Sequence, residues 1–210
     1  FLAFQDALPD AWGRRVIAAG HRGHIPDDVS LLLEANDART GALVFSESQQ
    51  WIAEKEPVER ASLEELADAA HALELGLDAP LRLKRLLRKA SSLGGARPKT
   101  QIERDGKLWL AKFQSTSDDY DYPTLEAATT ELARRCGIRV PHVELEPIGK
   151  AKVLLLERFD RPVIGTGAAA RFGRRHYLSA STLVGLPYRS EQGSYPVFAE
   201  KLRLRSKHAK

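Results

Sequence analysis

The sequence has no methionine, a single cysteine and few aromatic residues, and each shortage excludes something. One cysteine, Cys136, cannot form an internal disulfide, which fits a reducing, cytoplasmic compartment and excludes a disulfide-stapled module. Cys136 lies in an Ala/Leu helical pattern without an activating neighbour, so a buried structural thiol is expected. No run of about 18 apolar residues occurs, and a membrane-spanning helix is therefore not expected. The first ten residues, FLAFQDALPD, lack a basic region followed by an apolar stretch, so no signal peptide is read there. Aromatics make up only 7% of the chain and are not interleaved with a basic stripe, which argues against a base-stacking nucleic-acid binder. A first residue Phe1, the absence of methionine and a basic end without a stop signal suggest a piece of a longer protein.

A hydrophobic fraction of 43% and a charged fraction of 29% suit a globular chain with a sizeable core. The net charge is +4, with the excess in Arg82–Lys89 and Lys201–Lys210. That balance permits weak attraction to phosphates but does not indicate a nucleic-acid surface. A solvated helix face accounts for Arg82–Lys89.

Local signals divide the chain into three stretches: 1–90, 91–165 and 166–210. In the first, Pro9 and Asp10 suit the first turn of a helix. Val29–Ala35 has a helical pattern, and Thr40–Phe45 reads as a strand beginning at Gly41. Ser62 and Glu65 form a capping box for a helix carrying Leu63, Leu66, Ala70 and Leu73 on one face, with Gly76 placed to end it. Pro80 opens another helix, with Leu83, Leu86, Leu87 and Ala90 as its stripe. In the second stretch, Thr100–Arg104 and Lys107–Phe113 flank Asp105-Gly106, a tight-hairpin signal. A helix over Leu125–Cys136 ends at Gly137, and Lys152–Phe159 is a strand. Gly165–Ala170 is a loop, and a helix over Ser179–Val184 follows in the third stretch. Strands interrupted by a helix cannot all be joined by tight hairpins, so an antiparallel sheet with one helix packed on it is expected, an α+β class.

Three features point to chemistry. The loop Ser91–Thr100 contains Gly94 and Gly95, whose backbone can approach an anion closely, and Arg97 and Lys99 add positive charge. It is not a Walker loop, because Pro98 stands where that motif needs glycine and the order is helix–loop–strand. Lys112 sits in an apolar strand and needs either an anionic partner or solvent. Glu126 opens the next helix, where a carboxylate is favoured in any case. Each alone has an ordinary structural explanation. Together they resemble the glycine loop, strand lysine and helix glutamate of a protein-kinase N-lobe, in which the glutamate orients the lysine.

The run Ser92-x-Gly94-Gly95-Ala96-x-Pro98-Lys99, the strand Trp109-x-Ala111-Lys112-Phe113 and Glu157-Arg158-Phe159-Asp160-Arg161 resemble HipA-like kinases. Gly137-Ile138-x-Val140-Pro141 and Leu8-Pro9-Asp10-x-Trp12-Gly13 resemble the same family, in the same order. The resemblance implies a protein-kinase-like N-lobe preceded by a small α/β N-terminal subdomain, with a truncated helical C-terminal lobe. It implies a serine/threonine kinase toxin of a toxin–antitoxin system that uses ATP and Mg2+. Gly94, Gly95, Ala96, Lys99, Lys112, Glu126, Glu157 and Phe159 would then hold ATP, the last two through hinge backbone, and Ser92 would be a self-phosphorylation site. The implied partners are a protein substrate and a helix-turn-helix antitoxin of the HipB type, with DNA reached only through that antitoxin and no membrane contact.

Two departures matter. The family's Asp-x-His-x-x-Asn segment and further metal-binding aspartate are absent, so no catalytic or metal residue is assigned here. Leu178-Ser179-Ala180 replaces an acidic pair. The isolated chain is thus expected to hold nucleotide poorly and to transfer no phosphate. The alternative is an inactive pseudokinase or an interaction module for an antitoxin–DNA complex.

Overall fold

The computed structural model describes residues 2–35, 38–48, 61–167, 170–187 and 192–205. Helices α1 (Leu2–Gln5), α2 (Ala11–Gly20), α3 (Asp28–Glu34), α4 (Leu63–Glu74) and α5 (Leu81–Arg88) come first. The hairpin of β1 (Lys99–Arg104) and β2 (Lys107–Lys112), helix α6 (Tyr122–Arg135), and strands β3 (Val143–Ile148) and β4 (Ala151–Glu157) follow. Short strands β5 (Val163–Ile164) and β6 (Arg171–Phe172) pair with each other, and α7 (Ala180–Val184) and α8 (Tyr195–Arg205) complete the order.

Local chemistry sets many of these boundaries. The Ser62 side chain accepts from the Glu65 amide and the Glu65 carboxylate accepts from the Ser62 amide, the reciprocal cap expected for α4. Gly76 at φ +73° closes α4, with the Gly76 and Leu77 amides returning to Leu73 and Ala72 carbonyls. Asp105 and Gly106 both have positive φ, as the two-residue hairpin requires. Helix α6 starts three residues earlier than expected, because Asp121 caps it by accepting from the Thr124 amide and Pro123 fits its first turn.

The four-stranded sheet has the order β1-β2-β4-β3 and is antiparallel throughout. Its two faces do different work. Trp109, Ala111, Phe113, Val153 and Leu155 face the N-terminal helices and join Trp12, Val16, Leu66, Ala70, Leu83 and Leu87 in one core. Residues on either side of position 90 therefore share a single hydrophobic cluster. The register puts Lys99, Lys112, Leu110, Leu154 and Leu156 on the other face, along which α6 runs.

Three expectations need correction. Thr40–Phe45 is not a strand, and the regular elements among the described residues before position 90 are all helices, so those residues show no α/β arrangement. Side chains replace a ladder there: the Gly41 amide donates to Asp160 and the Gly41 carbonyl accepts from Arg161. Helix α2 begins at Ala11, after Pro9, with Asp10 at the N-cap. Cys136 is exposed at the C-cap of α6, where residues 134–137 are all exposed and nothing among the described residues covers the thiol.

Candidate functional site

The loop from Ser91 to Pro98 links α5 to β1, and its two ends are fixed differently. At the β1 end the Thr100 hydroxyl donates to the Leu86 carbonyl at 2.6 Å. At the α5 end Gly13 of α2 lies so close that a Cβ there would sit 1.6 Å from the Ser91 carbonyl oxygen. Between them Gly94 and Gly95 adopt φ +75° and +89°, conformations that an L side chain rarely takes. Gly94, Gly95 and Ala96 are exposed at the loop tip.

Lys99 is the unusual residue of this loop. It is 3% exposed, and its Nζ is a buried nitrogen without a hydrogen-bond partner. Burial, and next the Lys112 charge, push its pKa from 10.5 down to about 8. Asp10 and Glu126 act in the opposite direction, whereas Arg97 adds to the depression. The Ser91 and Ser92 hydroxyls are also buried and unpartnered. A desolvated cation packed against the Gly95 backbone is a setting that an oxyanion would complete.

Lys112 pairs with Lys99 across the β1–β2 ladder, on the same face. Its Nζ donates to the Glu126 carboxylate at 2.6 Å. The strand places the lysine, the N-terminal half of α6 places the glutamate, and the two meet across 14 residues of chain. Farther along α6's first turn, Lys152 of β4 reaches Thr124 at 3.1 Å and Asp121 at 3.6 Å. Lys99, Lys112 and Lys152 thus line the α6 side of the sheet, with the last two already matched to carboxylates.

The end of β4 is more heavily engaged. The Glu157 amide donates to the His142 carbonyl at 2.9 Å and its carboxylate accepts from Lys107 at 2.8 Å. The Phe159 side chain is exposed, and its carbonyl accepts from Arg175 at 3.3 Å. A cavity of about 220 Å³ lies here among Leu108, Glu157, Phe159, Pro162 and Arg175. Arg158 and Arg161, which also line it, form with Asp160 a buried ionic cluster bonded to the backbone of residues 38–41.

The structure therefore brings Lys99, Lys112, Glu126 and the Gly94–Ala96 loop to one region, and Ser92, at the α5 end of the same loop, is buried. Glu157 and Phe159 lie at the end of the adjoining strand. Asp10 was missed as part of this region: its carboxylate accepts from the Gly95 amide at 2.6 Å. The sequence offers Asp10 only as a helix-start residue, and no local signal links it to a loop 85 positions away.

Comparison with known proteins bears on this arrangement. Residues 91–210, more than half of the chain, match the family described as the HipA-like C-terminal domain. The chain belongs to the HipA-like family. Its fold is similar to that of a chain in the solved complex of the Shewanella oneidensis MR-1 toxin–antitoxin system HipA, HipB and its operator DNA. That match has a TM-score of 0.61 at 19% identity and covers 95% of this chain and 48% of the other. This HipA-like chain thus spans about half the length of the solved chain. No curated protein matches it.

Proposed function

We propose that this HipA-like chain is the nucleotide-holding part of a serine/threonine protein kinase toxin. The observation that carries the reading is the Lys112–Glu126 pair at 2.6 Å, set beside the buried, unpartnered Lys99 and the Gly94-Gly95 loop. A strand lysine oriented by a helix glutamate is how protein kinases hold the α- and β-phosphates of ATP. On this reading the four-stranded sheet and α6 act as a kinase-like N-lobe. Lys99 and Lys112 neutralise phosphate oxygens, Glu126 aims Lys112, and the loop closes over the phosphates. The backbone near Phe159 would border the adenine.

ATP fits the residues present. Mg2+ has no comparable support, because no group of three or more His, Cys, Asp or Glu residues comes together among the described residues. No step is therefore assigned to the metal. Ser92 remains the proposed phosphorylation site, and its buried hydroxyl means that the loop must open before a phosphoryl group can reach it. The solved complex of HipA with HipB and operator DNA supports a HipB-type antitoxin as partner. On this reading DNA is engaged only through that antitoxin, and the substrate is a protein.

Amide chemical shifts measured during ATP titration test the nucleotide site and detect even weak binding. Saturable shifts at residues 94–97, 99 and 112 are expected, and they should be lost in Lys112→Ala with the fold retained. Shifts that leave those residues unmoved at millimolar ATP would refute the reading.

A further inference from the structure

We propose that Asp10 is a positioning residue of the nucleotide site, holding the glycine loop in place over Lys99 through the Gly95 amide. This rests on the nucleotide reading above and extends it to a residue in the N-terminal helical part of the chain.

Asp10 occupies the N-cap of α2 with extended backbone, φ −79° and ψ −173°, yet its side chain makes no capping hydrogen bond. A capping aspartate ordinarily accepts from the second or third amide of its own helix. Here the carboxylate instead takes the Gly95 amide at 2.6 Å, and Oδ2 lies 3.4 Å from where a Gly94 Cβ would be. The neighbouring residues make the hold rigid. The Trp12 amide donates to the Gly95 carbonyl at 3.4 Å, and the Trp12 indole donates to the Lys99 carbonyl at 2.9 Å. Gly13 abuts the Ser91 carbonyl. Residues 10–13 therefore grip the loop at Ser91, Gly95 and Lys99.

The placement also has an electrostatic consequence. Lys99 is faced by Lys112 from β2 and Arg97 from the loop, which disfavour its charge, and by Asp10 and Glu126 of α6, which favour it. Lys99 Nζ lies 3.1 Å from where a Gly95 Cβ would be. Asp10 thus holds the amide of the residue against which the ammonium packs, and its charge helps that ammonium stay protonated.

Two variants separate holding from charge. Asp10→Asn keeps an acceptor without the charge, and Asp10→Ala removes both. Hydrogen exchange of the Gly95 amide, followed by NMR without nucleotide, should accelerate at least tenfold in Asp10→Ala and much less in Asp10→Asn. The apparent Kd for ATP should rise about tenfold in Asp10→Ala and about threefold in Asp10→Asn. The alkaline limb of ATP affinity, set by Lys99, should move to lower pH in Asp10→Asn. A merely structural role predicts the reverse, because a loosened loop would rehydrate Lys99 and return its pKa toward the solution value. Unchanged Gly95 exchange in Asp10→Ala would overturn the proposal. So would tighter ATP binding, which would mark Asp10 as a competing anion. If the wild-type chain shows no ATP response, the nucleotide reading fails while Gly95 exchange still judges the hold. If Asp10→Ala does not fold, the pH limb and affinity of Asp10→Asn decide.

Discussion

Arg158 grips Asp160 through two parallel hydrogen bonds, Nε to Oδ1 at 3.0 Å and Nη2 to Oδ2 at 2.7 Å, and each side chain is only 3% exposed. Arg161 adds a third contact to the same carboxylate at 2.7 Å, and the Gly41 amide a fourth at 2.9 Å. The two guanidiniums also donate to the Ala38, Arg39 and Gly41 carbonyls. This cluster ties an irregular N-terminal segment to the end of β4, next to Phe159.

Asp160→Asn should therefore be strongly destabilising, by about 3–5 kcal/mol, because it leaves two buried guanidiniums without their shared anion. Chemical denaturation of both proteins measures this. Burial pushes the Asp160 pKa up, but Arg158, the Gly41 amide and Arg161 outweigh it, and the net shift is below 3.8. The cluster's contribution is present above the unfolded pKa and disappears as pH falls through the lower folded one. The wild-type advantage over Asp160→Asn should accordingly shrink in acid below about pH 4.

Gly13→Ala tests the contact between α2 and the loop. Its Cβ would lie 1.6 Å from the Ser91 oxygen and 2.5 Å from the Ser91 carbonyl carbon, and both are backbone atoms. The loop or α2 must shift, at a cost of about 3 kcal/mol or more. A lowered Tm together with altered amide shifts at residues 91–95 is the expected result.

Lys99 should trade stability for function. Its pKa falls on folding, so the folded chain releases this proton near pH 8 while the unfolded chain keeps it to 10.5. The unfolded state binds more protons between those values, so stability rises with pH across that window. Below it the burial cost is complete, on the order of 3 kcal/mol at 1.36 kcal/mol per unit. Lys99→Met should stabilise the chain by about 1–3 kcal/mol at pH 7, less whatever packing is lost. That gain should vanish toward pH 10.5, while the response to ATP is lost at every pH. Thermal melts across this range check the sign.

Cys136 should react readily with a maleimide reagent in the native state, since it is exposed at the end of α6. Labelling only after denaturation would contradict that placement.

Much of this fold is legible locally. The Ser62/Glu65 cap, the Asp105-Gly106 turn, Gly76 and Gly137 act through bonds a few residues apart, so the sequence shows them directly. The resemblance of residues 92–99, 109–113 and 157–161 led to the family. Cys136 shows where pattern fails: an Ala/Leu period marks a helix but does not say what covers each turn.

The sequence by itself determined the order of most elements, the antiparallel α+β class and the membership of the HipA-like family. Those depend on short-range turn and cap chemistry and on motifs read in line. Only the tertiary structure decided that Glu126 meets Lys112, that Lys99 is buried without a partner, and that Asp10 leaves its own helix to hold Gly95. It alone showed Arg158, Asp160 and Arg161 anchoring residues 38–41. Burial and long-range pairing belong to the packed chain, and no pattern of spacing within a segment encodes which distant charge or amide will stand opposite.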